Sequence, residues 1–296
     1  MIDIHADKPV LIAGPTASGK SALALHIAQQ QGGIIVNADA LQAYQGWPIL
    51  SAQPSAEEQR LAPHALYGAV AYDGAFDLGD WIAAVTPYLT QGTRPIIVGG
   101  TGLFLSTLTS GLSPIPPIPD DIRQAGNIRD LAEMIAALDP ETRDTLDLHN
   151  RMRVQRAWEV LTHTGHGMAY WHALPASPLL PAENATCIVL DAPKDWLTPR
   201  IAQRFDLMMD MGLLDEGRAM RPVWNPQHAS SKTIGAADLI DHLDGKISAN
   251  DLRETITIKT RQYAKRQRTW FRKRMADWHN LPISSTDLST ALRFLP

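Results

Sequence analysis

Gly14-Pro15-Thr16-Ala17-Ser18-Gly19-Lys20-Ser21 fills every fixed position of the pattern G-x-x-x-x-G-K-[ST]. Before it, Pro9 to Ala13 (PVLIA) is an apolar run of strand length. After it, Lys20 to about Gln30 carries Leu23, Ala24, Ile27 and Ala28 at helical spacing. A strand before and a helix after are the context this motif requires. The glycines let the backbone wind around an anion so that its N–H groups converge. The helix start adds the positive end of its dipole. Lys20 supplies a cation, and the Ser21 hydroxyl is a ligand for Mg²⁺. Gly14 to Ser21 are thus expected to bind a diphosphate or triphosphate, and the motif leaves open what that phosphate carries.

Working outward, the strand-then-turn pattern returns at Ile34 to Asp39. A helix is predicted over Asp80 to Leu89, a third strand over Pro95 to Val98 ending at Gly99-Gly100, and a helix over Thr101 to Thr109. Strands alternating with helices predict an α/β fold of the P-loop NTPase type: a parallel sheet flanked by helices, with ligands beyond the strands' C-terminal ends. SPIPPIP at 113–119 interrupts the pattern, because four prolines in seven residues fit neither a helix interior nor a central strand. From Asp120 to about Gly165 the pattern is helical, and a strand resumes at Thr186 to Leu190. The expected organisation is a core of residues 1–113 and 185–296 with a helical insertion at 114–184. Later helices are expected at Thr198 to Met211, Ala236 to Leu243 and Asp251 to Met275. No element is assigned to the first residues or to the tail after Leu281.

Composition narrows the class. With 45% hydrophobic and 20% charged residues the chain is ordinary globular protein, and Cys187 is its one cysteine. No apolar run approaches the roughly 20 residues of a membrane helix, and the acidic start MIDIHADKPV lacks a signal-peptide pattern. A cytoplasmic monomer with no membrane contact is expected. His163 and His166 have no partners at ligand spacing, so no zinc is expected. The net charge of −4 conceals an asymmetry. Lys259 to Arg274 holds eight of the 27 basic residues and none of the 31 acidic ones. Arg261, Lys265, Arg268 and Arg272 form one helical stripe, with Tyr263, Gln267 and Trp270 on another. That pairing suggests RNA backbone contact with stacking alongside.

The kind of phosphate chemistry is less constrained. A hydrolytic motor needs an acid after an apolar strand; the third strand ends in Gly-Gly-Thr, although Asp39 follows the second. No N-K-x-D element is present. A P-loop kinase of a nucleoside or small metabolite remains open, as does a non-catalytic RNA-binding protein.

One family has the whole ordered set. GPTASGKS, NADALQAY at 37–44, PHAL at 63–66, IVGGTGLF at 97–104, RVQRAWEV at 153–160, RIAQRF at 200–205 and RQYAKRQRTWFR at 261–272 resemble the tRNA dimethylallyltransferases (tRNA isopentenyltransferases) along essentially the full chain. The resemblance implies that the P-loop holds the diphosphate of dimethylallyl diphosphate with Mg²⁺. It also implies that a tRNA anticodon stem-loop enters from the opposite side, with the adenine immediately 3′ of the anticodon flipped in to receive the prenyl group on N6. By resemblance Asp39 is the general base, Thr101 a catalytic-site threonine and Arg204 a diphosphate ligand. Contacts to tRNA are implied for Asp39, Ala40, Leu41, Gln42, Thr101, Arg123, Met152, Arg153, Val154, Gln155, Arg156, Lys232, Arg261, Lys265, Arg266, Gln267 and Arg268. The chain departs from the family pattern at Ala40, Gln45, Ala236 and Ala237, where hydroxyl or basic groups are usual.

Overall fold

The computed structural model describes residues 1–90, 92–283 and 291–295. They form two compact units, Met1–Thr109 with Leu179–Pro296, and Ser110–Pro178. Among the described residues no helix is long and apolar enough to cross a membrane.

Among its described residues the larger unit has eight strands: β1 (Ile2–His5), β2 (Val10–Ala13), β3 (Ile34–Asn37), β4 (His64–Ala65), β5 (Pro95–Gly99), β6 (Thr186–Asp191), β7 (His279–Pro282) and β8 (Leu292–Leu295). Six make one sheet in the order β4-β3-β5-β2-β6-β7, and every neighbouring pair is parallel. Helices cover both faces, so the central strands are apolar on both sides. Along them, residues alternate between two cores. Val10, Ile12, Ile35, Ile96, Ile188 and Leu190 join Leu23 and Ile27 of the Lys20–Gln31 helix and Leu197 and Ile201 of the Lys194–Asp210 helix. Leu11, Val36, Ile97 and Val189 face the other way. They pack on Trp81 and Val85 of the Leu78–Thr90 helix, Leu105 and Leu108 of the Gly102–Ser110 helix, and Phe271 of the Ala249–Arg274 helix. Each such aliphatic side chain stabilises the fold by about 1.5–3 kcal/mol when fully buried. A third, helical cluster gathers Trp47, Leu50, Phe205, Met208, Leu239 and Ile256.

The smaller unit contains helices Asp120–Ile128, Leu131–Ala137, Pro140–Thr145, Arg151–Thr164 and Met168–Ala173. Its core is small: Met134, Leu138, Val154, Ala157 and Trp158. Capping is correspondingly explicit. Asp130, Asp139 and Asn150 each accept a backbone N–H at a helix start. Arg151 Nη2 donates to the carbonyls of Gly126, Asn127 and Arg129 at 3.0, 3.1 and 2.9 Å, satisfying a helix end.

One expectation needs correction. The ends of the chain are not without elements: β1 pairs in parallel with β8, and β7 joins the main sheet beside β6. Residues 284–290 and 296 of that tail lie outside the described residues. β3 stops at Asn37 and leaves Asp39 in the turn beyond it, as the strand-then-turn pattern leads one to expect.

Candidate active site

Register brings three loops together. Ala13 pairs with Gly99 and Val189, and Asn37 with Val98, so the P-loop, the Asp39 turn and the Gly99-Gly100 exit leave the sheet at the same end. The P-loop backbone is left-handed at Ala17 (φ 63°) and Gly19 (φ 91°), which folds successive amides into a concave nest. The first helical bond runs from Leu23 N to Gly19 O at 3.0 Å. The amides of Lys20, Ser21 and Ala22 therefore have no intrahelical acceptor.

Lys20 is only 8% exposed. Burial lowers its pKa to about 8; Asp39 opposes that shift and Arg204 reinforces it. Arg204 reaches in from the Lys194–Asp210 helix, and its Nη1 donates to Thr16 Oγ1 at 3.2 Å. Burial lowers the guanidinium's pKa, while Asp39 favours its charged form. Arg204 is thus half-buried in the pocket and is not a solvated surface charge.

Asp39 is fixed by its neighbours. Asn37 Oδ1 accepts from Asp39 N at 2.8 Å, and Asn37 Nδ2 donates to Asp39 O at 2.9 Å and Leu66 O at 3.0 Å. The Asn37 carbonyl itself accepts from Trp81 Nε1 at 2.8 Å. Asp39 Oδ1 accepts from Leu41 N at 3.1 Å, and Thr101 Oγ1 accepts from Ala40 N at 3.0 Å. A Cβ on Gly99 would collide with the Ala38 backbone, and one on Gly100 would sit 2.9 Å from Asp39 Oδ2. Both positions must be glycine for the turns to approach this closely.

The resulting pocket opens to solvent and spans about 690 Å³ with its open mouth included. Thr16, Lys20, Asp39 and Arg204 line it together with an apolar wall of Leu50, Ile201, Phe205, Met208, Ile234 and Ile256. Thr257, Thr260 and Tyr263 of the Ala249–Arg274 helix also line it. Burial first, and Asp39 second, push the Tyr263 phenol well above its usual range. A neighbouring hollow is lined by Lys20, Ser21, Arg200, Gln203 and Arg204. No carboxylate lines that hollow, and among the described residues no three His, Cys, Asp or Glu gather at metal-binding distance. Ser21 is exposed there as a lone hydroxyl. Such a donor fits Mg²⁺ that would arrive with a diphosphate and draw its other ligands from phosphate oxygens and water.

Residues 42–274 match the family model described as IPP transferase, and residues 8–63 match one described as isopentenyl transferase. The chain belongs to the IPP transferase family. It is 55% identical to the tRNA dimethylallyltransferase of Dinoroseobacter shibae over 288 residues, covering 95% of this chain and 97% of that protein. The crystal structure of the tRNA isopentenylpyrophosphate transferase from Bacillus halodurans superposes with a TM-score of 0.69 at 27% identity, covering 96% of this chain and 93% of that one. The fold also matches a eukaryotic dimethylallyltransferase acting on tRNA, with a TM-score of 0.79 at 22% identity over 98% of this chain and 75% of that one.

Not every position singled out in this IPP transferase family sequence faces outward. Arg123, Met152, Arg153, Lys232, Arg261, Lys265 and Arg266 are exposed, and Ala40, Leu41, Arg156 and Arg268 are half-buried. Val154 and Gln155 turn into the smaller unit instead. Val154 is in its core, and Gln155 Nε2 donates to Asn127 Oδ1 at 2.8 Å and Glu159 Oε1 at 2.9 Å. Gln42 is also engaged internally, donating to the carbonyls of Ser51 and Ala52 at 2.9 and 2.8 Å. The Tyr263-Gln267-Trp270 stripe faces inward: Gln267 is buried, Tyr263 lines the pocket and Trp270 packs against Gly102. Thr101 does not line the pocket with Lys20; it orders the Asp39 turn. Sequence reasoning assigned no role to Asn37, whose buried amide shapes that turn; an Asn two residues before an Asp, after a strand, is the local signal.

Proposed function

We propose that this protein, acting as a cytoplasmic monomer, transfers a dimethylallyl group from dimethylallyl diphosphate to N6 of the adenine immediately 3′ of the anticodon in tRNA. The observation that carries this reading is a pocket in which Lys20 and Arg204, shared with the adjoining P-loop hollow, meet a carboxylate and an apolar wall. Relatives named tRNA dimethylallyltransferase, at half identity over nearly the whole chain, support transfer of the dimethylallyl group to tRNA. The exposed basic residues Arg261, Lys265 and Arg266 supply a charge suited to RNA phosphates.

The chemistry follows from charge. Adenine N6 is a weak nucleophile because its lone pair is delocalised into the ring. The allylic C1–O bond breaks readily once the leaving diphosphate is neutralised. Lys20, Arg204 and the P-loop amides are preorganised for that neutralisation. Mg²⁺, held by Ser21 and phosphate oxygens, would add positive charge at the same leaving group. As C1 leaves oxygen, N6 forms the new C–N bond and its proton passes to the Asp39 carboxylate. The apolar wall houses the five-carbon tail and keeps water from the electron-poor carbon.

The test is incubation of the full chain with an unmodified anticodon stem-loop and either dimethylallyl diphosphate or ATP, followed by digestion and mass analysis of nucleosides. Prenylated adenosine with the diphosphate alone is expected. Phosphorylation of a small molecule from ATP without prenylation would favour the kinase reading.

A further inference from the structure

Gln267 brings no acid, base or charge, yet three parts of the site meet on its side chain. It lies on the Ala249–Arg274 helix and is 5% exposed. Its Oε1 accepts from Thr16 N of the P-loop at 2.9 Å, and its Nε2 donates to Gly100 O at the end of β5, also at 2.9 Å. Gln267 and Thr101 lie close enough to the Tyr263 hydroxyl to temper its raised pKa. Thr16 carries Arg204 on its hydroxyl at 3.2 Å. Gly100 precedes Thr101, whose Oγ1 holds the Asp39 turn through Ala40 N at 3.0 Å. A Cβ on Gly100 would collide with Gln267 Nε2, so the glycine leaves room for this amide.

The geometry needs a donor and an acceptor at the end of one side chain. A carboxylate would set two acceptors against Thr16 N–H and Gly100 C=O, and a thioether of similar length would satisfy neither. We infer that Gln267 is a positioning residue that ties the phosphate cradle to the Asp39 turn and so fixes the distance between the leaving diphosphate and the proton acceptor. The inference rests on the proposed function for its catalytic consequence; the tie itself is readable by diphosphate binding alone.

The experiment uses the full chain with Gln267→Met and Gln267→Glu. Inorganic pyrophosphate binding is measured by calorimetry, anticodon stem-loop binding by anisotropy, prenyl transfer by single turnover and folding by thermal melting. For Gln267→Met, pyrophosphate Kd is expected to rise about tenfold, the scale of a lost hydrogen-bond tie. Single-turnover transfer is expected to fall about 10²-fold, the scale of a small misplacement, with stem-loop Kd within about twofold. In Gln267→Glu, protonation restores the donor to Gly100 O, so its activity relative to wild type should rise as pH falls. Asp39, Tyr263, Lys20 and Arg204 carry or change charge around the same pocket, which is why the ratio at each pH is read. Wild-type pyrophosphate binding and transfer in Gln267→Met would overturn the inference. So would weakened stem-loop binding with pyrophosphate binding unchanged, because Gln267 would then face RNA. If Gln267→Met does not fold, a Gln267→Glu ratio that is flat with pH overturns it. Weaker pyrophosphate binding in a protein that never prenylates RNA would leave the tie standing and sink the proposed function instead.

Discussion

The carboxylate of Asp39 cannot swing away from the pocket without giving up the Leu41 amide at 3.1 Å. The turn also keeps its shape through Asn37, so the side chain is both a turn former and a candidate base. Asp39→Asn separates the two roles, since an amide oxygen still accepts from Leu41 N–H but takes no proton. Turnover is expected to fall by roughly 10²–10⁴-fold, with stem-loop affinity little changed; single-turnover kinetics beside anisotropy checks both. Near-normal turnover would leave Asp39 a turn residue only. Lys20 gives a second residue-scale prediction. Burial holds its pKa at about 8, so the free protein loses that charge as pH rises through about 8. A diphosphate binds the charged form, so affinity should be level below about pH 8 and weaken by up to about tenfold per unit above it, with proton uptake on binding. Calorimetry in buffers of different ionisation enthalpy measures that uptake. Lys20→Met should bind weakly at every pH and lose the inflection; an inflection that survives would assign it to another group.

At the scale of the element, the Ala249–Arg274 helix divides its work between two faces. It starts at a capping box between Ser248 and Asp251. Its inward face carries Ile256, Ala264, Gln267 and Phe271. Outward lie Arg261, Lys265 and Arg266, while Lys259 is paired with Asp238 at 2.8 Å. Arg268 is half-buried, and its Nε has no hydrogen-bond partner. Changing Arg261 and Lys265 to Ala should therefore weaken RNA binding and flatten its salt dependence, each lost phosphate contact lowering the log–log slope by somewhat less than about one unit. Pyrophosphate binding should not change, and an unaltered slope would mean that this face meets no RNA. The helix and its charge were legible in the sequence, because apolar and basic residues recur at helical spacing. Which face Gln267 takes was not. Its partners, Thr16 and Gly100, are 251 and 167 residues away, and a buried amide has no local signature. The same physics hid β1 and β8: four residues each are too few for periodicity, and their pairing joins the two ends of the chain. The P-loop was legible because all of its parts are local: strand, nest and helix start follow one another within Val10–Ser21. The joining of Asp39, Thr101 and Arg204 in one neighbourhood depends on parallel register and on a helix far along the chain.

For the molecule as a whole, the question is whether the insertion is needed for the core to fold. The proline-rich break placed its start near residue 114 and the resumed strand placed its end near 184, whereas the smaller unit spans Ser110–Pro178. The core closes behind it: Leu180 N donates to Leu108 O at 2.9 Å, so the two chain ends left by an excision are already neighbours. Joining such close ends with a few flexible residues has a low entropic cost, since that cost grows only slowly with loop length. The insertion has a core of its own in Met134, Leu138, Val154, Ala157 and Trp158, and the sheet's two cores draw on none of these. Replacing residues 110–178 with a short Gly/Ser linker should therefore leave a cooperatively folding core. That core should bind pyrophosphate normally, because Lys20, Arg204 and the P-loop all remain. Its stem-loop affinity should drop, because turning a base out of its stack costs a few kcal/mol that contacts around the loop must offset. The excision removes the exposed Arg123 and Arg153 along with Arg156. Paired titrations of the excised protein with pyrophosphate and with an anticodon stem-loop decide the matter. Undiminished stem-loop affinity would show that the insertion has a task other than holding RNA. Loss of pyrophosphate binding in a core that still melts cooperatively would show that the cradle needs the insertion after all.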